Sequence, residues 1–106
     1  MAGLGDFTGL LKQAQKVQAE IARVQAELKE KVVEGTAGGG AVTVRVSGNM
    51  DVLSVTIAPA VLEEADAATL EDLVLVATKQ GIDRAREMAQ AELGRFTGGM
   101  SIPGLL

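Results

Sequence analysis

The stretch FTGLLKQAQKVQAEIARVQAEL, Phe7 to Leu28, decides the fold. Its apolar residues fall at Phe7, Leu10, Ala14, Val17, Ile21, Val24 and Leu28, in alternating steps of three and four. The mean step of about 3.5 is the coiled-coil period, and it draws a narrow stripe down one side of a long helix. At about 1.5 Å per residue the stripe runs for roughly 30 Å or a little more. A chain of 106 residues builds only a modest core and cannot cover such a stripe with its own mass. These seven residues are therefore a candidate dimer or partner seam. The chain reads as a dimeric binding module with coiled-coil character.

Outward from that helix the elements follow in order. Residues 1–5 are Gly-rich and expected to be flexible, and Asp6 or Thr8 is expected to cap a helix over 6–31. Val32 to Thr36 suits a short first strand, and Gly38-Gly39-Gly40 a turn. In Ala41–Ser47, Val42, Val44 and Val46 point one way and Thr43, Arg45 and Ser47 the other. Asp51–Ala58 repeats the alternation, with Leu53, Val55 and Ile57 expected on one face. Gly48-Asn49 between the two predicts a hairpin with a half-buried face. Pro59 ends the second of these strands, since proline cannot donate to a ladder.

A second helix is expected over 66–93, capped by Asp66 or Thr69, with Glu71 and Asp72 in its first turn where the dipole favours them. Leu70, Leu73, Val74, Ala77, Gly81, Ala85 and Met88 share one side. Gly81 costs roughly 1 kcal/mol inside a helix and so marks close packing. Residues 94–106 read as a flexible tail. The expectation is a single α+β domain over 1–106 in the order α-β-β-β-α. A long N-terminal helix precedes strands over 32–58, in an antiparallel sheet of two or three strands, and a C-terminal helix follows.

Composition removes whole classes of chemistry. There is no Cys and no His, which excludes disulfides, Cys/His zinc sites, thiol nucleophiles and imidazole acid–base catalysis. Ser47, Ser54 and Ser101 have no histidine to activate them. Glu63/Glu64 and Glu71/Asp72 are sequence neighbours whose side chains diverge, and they fit helix starts better than acid–base work. They also lack the ligand spacing of a calcium loop. Gly38–Gly40 lacks the Gly-Lys-Ser/Thr of a phosphate loop. No enzyme, metal or cofactor is expected. No apolar run approaches a membrane span, and no signal peptide is evident, so a cytoplasmic protein is expected.

The net charge of −4 lies wholly in the C-terminal half, where eight acids face four bases from Glu63 onward. Between Asp6 and Glu34 five bases balance five acids. Lys12, Lys16 and Arg23 share one outward side of the first helix, among Gln13, Gln15, Gln18 and Gln25. Such a row can follow phosphates along a nucleic-acid backbone. It can equally be a solvated face salted by Glu20 and Glu27. With no aromatic residues interleaved, stacking on single-stranded bases is not expected.

Four motifs then fall in register with a known family. Gly3-Leu4-Gly5 with Leu10-Leu11-Lys12-Gln13-Ala14-Gln15 resembles the start of the YbaB/EbfC nucleoid-associated proteins. So do Ile57-Ala58-Pro59 with Leu62, and Leu70-Glu71-Asp72-Leu73-Val74. The ending Gly98-Gly99-Met100-Ser101-Ile102-Pro103-Gly104-Leu105 is similar to the family's Gly-Met-x-hydrophobic-Pro close. The resemblance implies an intertwined or tweezer-like homodimer, with a body of sheets and C-terminal helices from which the N-terminal helices project. It further implies a DNA-binding protein of the bacterial nucleoid, acting in chromosome organisation or gene expression. The expected partner is double-stranded DNA, met through backbone phosphates by Lys12, Lys16 and Arg23, with Lys29, Lys31, Arg84 and Arg86 as secondary candidates. The alternative is a protein-interaction adaptor in DNA repair or replication for which DNA binding is incidental.

Overall fold

The computed structural model describes residues 2–97, with side-chain surroundings for 7–95. Its elements are α1 (Ala2–Glu30), β1 (Val32–Ala37), β2 (Val42–Ser47), β3 (Val52–Ile57), α2 (Pro59–Glu64) and α3 (Ala67–Thr97). The three strands form one antiparallel sheet in the order β1-β2-β3. The expected α-β-β-β-α order is therefore present, with the short α2 added. Proline opens α2, where its missing N–H and fixed φ cost nothing, and that was the sequence signal for it.

The core lies between α3 and the central strand. Val42, Val44 and Val46 are fully buried against Ala77 and Ala85 of α3, beside Ala37. Close approach is the device that seals this layer. A Cβ on Gly35 would collide with the Ala77 carbonyl and the Gly81 backbone, and one on Gly81 would meet Val46 Cγ2 at 2.7 Å. Gly81 thus marks tight helix-on-sheet packing, as its position in the helix predicted. The opposite face of the sheet is polar and open, with Glu34, Arg45 and Ser54 in one row and Thr36, Thr43 and Thr56 in the next.

The two sheet edges differ. At the β1 edge the Thr36 N–H donates to Gln80 Oε1 (2.7 Å), and Arg84 Nη1 donates to the Glu34 carbonyl (2.8 Å). Side chains from α3 thereby satisfy backbone groups that an edge otherwise leaves open. β3 lies at the other edge with Val52, Leu53 and Val55 exposed. α3 covers β1 and β2 and barely reaches β3.

Several expectations need correction. Leu53 does not face the core with Val55 and Ile57. A bulge opposite Arg45/Val46 shifts the register, so that Val52 pairs with Val46. A one-residue slip moves every later side chain across the sheet. The turn's left-handed residue is Met50 (φ +69°), not Gly48 or Asn49. Gly48 instead serves contact: its N–H reaches the carbonyls of Leu28 (2.9 Å) and Lys31 (3.0 Å), and a Cβ would strike the Leu28 backbone. α1 begins at Ala2, so residues 2–5 are helical instead of a loose lead-in, and neither Asp6 nor Thr8 is an N-cap. Extending a nucleated helix gains one hydrogen bond per residue fixed, which offsets the glycines. Asp66 caps α3 through its Oδ1 and the Thr69 N–H (2.8 Å). Glu71 and Asp72 follow the first turn, which holds no acid. α3 runs on through Gly94 to Thr97, and the rest of the expected tail, 98–106, lies outside the described residues.

The molecule measures 77 × 21 × 18 Å along its principal axes. α1, ~43 Å long at ~1.5 Å per residue, adds to that length because it meets the body only at its C-terminal end. Val24 (5% exposed) and Leu28 (4%) are buried there, while Phe7 (59%) and Leu10 (68%) stand clear. Ala14 is exposed, and Val17 and Ile21 are half-buried. The seam is thus covered at the root of an arm and bare at its tip.

Candidate nucleic-acid interface

α1 has 29 residues, about 43 Å of helix at ~1.5 Å each. From Leu10 onward it is built largely of adequate helix formers, Ala, Leu, Gln, Glu, Lys and Arg. The expected row is present: Lys12, Lys16 and Arg23 fall within an arc of roughly 40°, about 120° round the helix from Val24 and Leu28. All three are exposed. Lys12 stands ~24 Å along the axis from Leu28, well clear of the body.

The three cations are not electrically equal. Arg23 Nη2 meets Glu20 Oε2 at 2.7 Å and Nη1 meets Glu27 Oε1 at 2.6 Å. The hydrogen bonds that Arg23 donates to Glu20, with the charges of Glu20 and Glu27, hold the guanidinium pKa above its ordinary value. Two carboxylates thus over-balance one cation at this turn. Lys12 and Lys16 form no salt bridge with any described residue. They border a shallow concavity with Gly9, Gln13 and Gln15, so ammonium groups and amide donors share one surface.

The secondary candidates are dispersed. Lys29 is exposed but lies about 120° from the buried stripe in the other direction, off the row. Lys31 Nζ is bound to Glu92 Oε1 at 2.8 Å, an oxygen it shares with Arg95 Nη2 at 2.8 Å. These partners, the Lys31 hydrogen bond first, hold the Glu92 carboxyl below its usual pKa. Arg84 is taken up by the β1 edge, and Arg86 Nη1 pairs with Asp83 Oδ1 at 3.2 Å on α3. The structure therefore brings Lys12, Lys16 and Arg23 together and leaves the other four apart. The Glu20-Arg23-Glu27 bracket was legible from its i,i+3 and i,i+4 spacing. The ties of Arg84 and Lys31 join residues 50 and 61 positions apart and left no local signal.

Among the described residues no cluster of acids could hold a metal ion. No described helix is long and apolar enough to cross a membrane.

A three-stranded sheet backed by one helix, with a second helix projecting as a lysine-bearing arm, defines a small α+β protein. Residues 3–100 match the model of the YbaB/EbfC DNA-binding family, and the chain belongs to that family. Similar proteins include a nucleoid-associated protein of Acetivibrio thermocellus, 49% identical over 95% of this chain and 90% of its own length. Another, from Alkaliphilus metalliredigens, is 45% identical over 99% of this chain and 92% of its own. The crystal structure of the uncharacterized protein HP0035 from Helicobacter pylori superposes with a TM-score of 0.72. At 20% identity it covers 92% of this chain and 100% of that one, and it shows the same fold.

Proposed function

We propose that this protein is a non-enzymatic, nucleoid-associated DNA-binding protein that works as a homodimer. It grips double-stranded DNA mainly through backbone phosphates, using the outward faces of two α1 arms. The observation that carries this reading is the pair Lys12 and Lys16, free of carboxylate partners among the described residues on a helix held clear of the body. Membership of a DNA-binding family and relatives named as nucleoid-associated support it.

The dimer is inferred from what one copy leaves uncovered. The β3 edge is open with Val52, Leu53 and Val55 exposed, and Leu75 and Val76 of α3 stand in solvent. The other edge is already occupied by Gln80 and Arg84. A second copy meeting β3 removes this apolar surface from water at about 25 cal/mol per Å². It also pairs the two lysine rows at a fixed spacing. Every lysine that meets a phosphate releases counterions, so affinity falls steeply with salt at a log–log slope of about −0.9 per phosphate neutralised.

The test is binding to labelled duplex DNA over a salt series, with Lys12→Glu/Lys16→Glu alongside. We expect the folded, dimeric variant to lose the salt-steep affinity. Equal binding by both proteins would contradict the reading. The adaptor reading is kept because Phe7, Leu10 and Leu11 expose apolar surface at the arm tip. It is favoured if neither protein binds DNA and Leu10→Ser abolishes capture of a protein partner.

A further inference from the structure

The sheet has a second face that the core does not use. Val42, Val44 and Val46 turn toward α3, so the alternate residues of β2 point the other way. There Arg45 lies in register between Glu34 of β1 and Ser54 of β3, with Thr43 between Thr36 and Thr56 one row on. Arg45 is exposed and forms no salt bridge with a described residue, although Glu34 is its direct cross-strand neighbour. The hydroxyls of Ser54, Thr43 and Thr56 likewise make no hydrogen bond with a described residue. The acids of α3 point elsewhere. Asp83 and Glu87 stand two residues on from Gly81 and Ala85, about 200° round the helix from the side that meets the sheet. Among the paired residues of the open face Glu34 is the only acid, and it sits on the outer strand β1.

Given the DNA-binding reading above, on which this rests, we propose that the open sheet face is a second contact surface for the DNA backbone. Arg45 is its anchor, and the hydroxyls of Ser54, Thr43 and Thr56 surround it. A guanidinium presents its N–H donors in a planar fork that matches two phosphate oxygens, and serine and threonine hydroxyls donate to phosphates as well. With no aromatic ring or amide side chain in these two rows, the contact is to the backbone and reads no bases. The dimer inferred from the β3 edge gathers the donors. When β3 pairs with its copy, the strand order becomes β1-β2-β3-β3-β2-β1. Hydroxyls of β3 then occupy the centre of a six-stranded face, with one Arg45 on either side and Glu34 at the two margins. The two arginines stand three strands apart, roughly 14 Å at about 4.8 Å per step.

The test is duplex DNA binding over a salt series by Arg45→Gln, Lys79→Gln and Lys12→Glu/Lys16→Glu, each checked for dimer mass and melting temperature. Lys79 is also exposed and without a salt bridge to a described residue, but it faces away from the sheet, two residues on from Ala77. Arg45→Gln should lower the log–log slope by about 0.9 for each phosphate it no longer neutralises, and Lys79→Gln should leave the slope unchanged. A wild-type slope for folded Arg45→Gln, or an equal fall for both, would overturn the proposal. The arm variant separates this contact from the arms. If it loses affinity while Arg45→Gln binds as wild type, the arms hold DNA and the sheet does not. If it binds as wild type while Arg45→Gln loses slope, the sheet is the contact and the arms are not. Photo-crosslinking adds a readout that leaves Arg45 in place. Thr56→benzoylphenylalanine should capture duplex DNA, and Glu87→benzoylphenylalanine, on the far side of α3, should not. No capture from position 56, or equal capture from both, would count against the sheet face.

Discussion

α1 and α3 are nearly equal in length, 29 and 31 residues, yet one projects and the other lies down. α3 presents Ala77, Gly81 and Ala85 to the sheet, small residues that let backbone approach backbone. α1 presents Phe7, Leu10, Val17, Ile21, Val24 and Leu28 at the period of a partner helix, and only the last two are buried. Residue size at the contact separates a helix that belongs to its own core from one that waits for another surface. The cations divide less simply. Near the body Lys31, Arg84 and Arg86 are tied to Glu92, the Glu34 carbonyl and Asp83, while Lys29, Arg45 and Lys79, like Lys12 and Lys16 on the arm, form no salt bridge with a described residue.

The contrast breaks most sharply at glycine. Gly35→Val drives a side chain into the Ala77 carbonyl and should cost ~3 kcal/mol, a fall of roughly 10–20 °C in melting temperature. Gly9 has nothing within 4 Å of a Cβ, so Gly9→Ala should stabilise α1 by up to ~1 kcal/mol. Thermal melts of the two proteins with opposite signs would sustain the distinction, and equal destabilisation would end it.

The arm can then be divided. Leu28→Ala empties a buried site at the root and should cost about 3 kcal/mol in chemical denaturation. Leu10→Ala at the exposed tip should change stability by less than ~0.5 kcal/mol. A large loss at Leu10 would mean that a partner copy covers the tip, sharpening the seam into a coiled coil.

A smaller effect follows pH. Because the folded Glu92 carboxyl lies below its ordinary value of 4.5, its contribution is full above that pH and disappears as pH falls through the folded value. The Lys31–Glu92 tie between the end of α1 and α3 should therefore open in acid. Melting temperatures of wild type and Glu92→Gln should differ above pH 4.5 and converge below it. Parallel curves across the range would remove this tie from the account.

Much of this was legible in the sequence, and what was not has a physical reason. Periodicity alone placed α1, β2 and α3, because burial on one face imposes a 3.6- or 2-residue repeat. The heptad stripe also said that α1 outreaches its own fold. The bulge beside Leu53 was not legible, since register is set by cross-strand pairing. The edge caps from Gln80 and Arg84 were hidden for the same reason: they join positions 44 and 50 residues apart. Of the site, the row of Lys12, Lys16 and Arg23 could be read from spacing. The bracket of Glu20 and Glu27 round Arg23 could be read from the same spacing, and the structure adds which oxygens the guanidinium meets.

That inequality offers the most direct test of the claim that DNA is met by the uncompensated lysines of the arm. Salt-dependent DNA binding should be measured for Lys16→Gln and Arg23→Gln, each checked for dimer mass and helicity. The account predicts that Lys16→Gln reduces the log–log slope by about 0.9 for every phosphate it no longer neutralises, while Arg23→Gln leaves the slope near that of wild type. The reverse order, or no change in either, would contradict it.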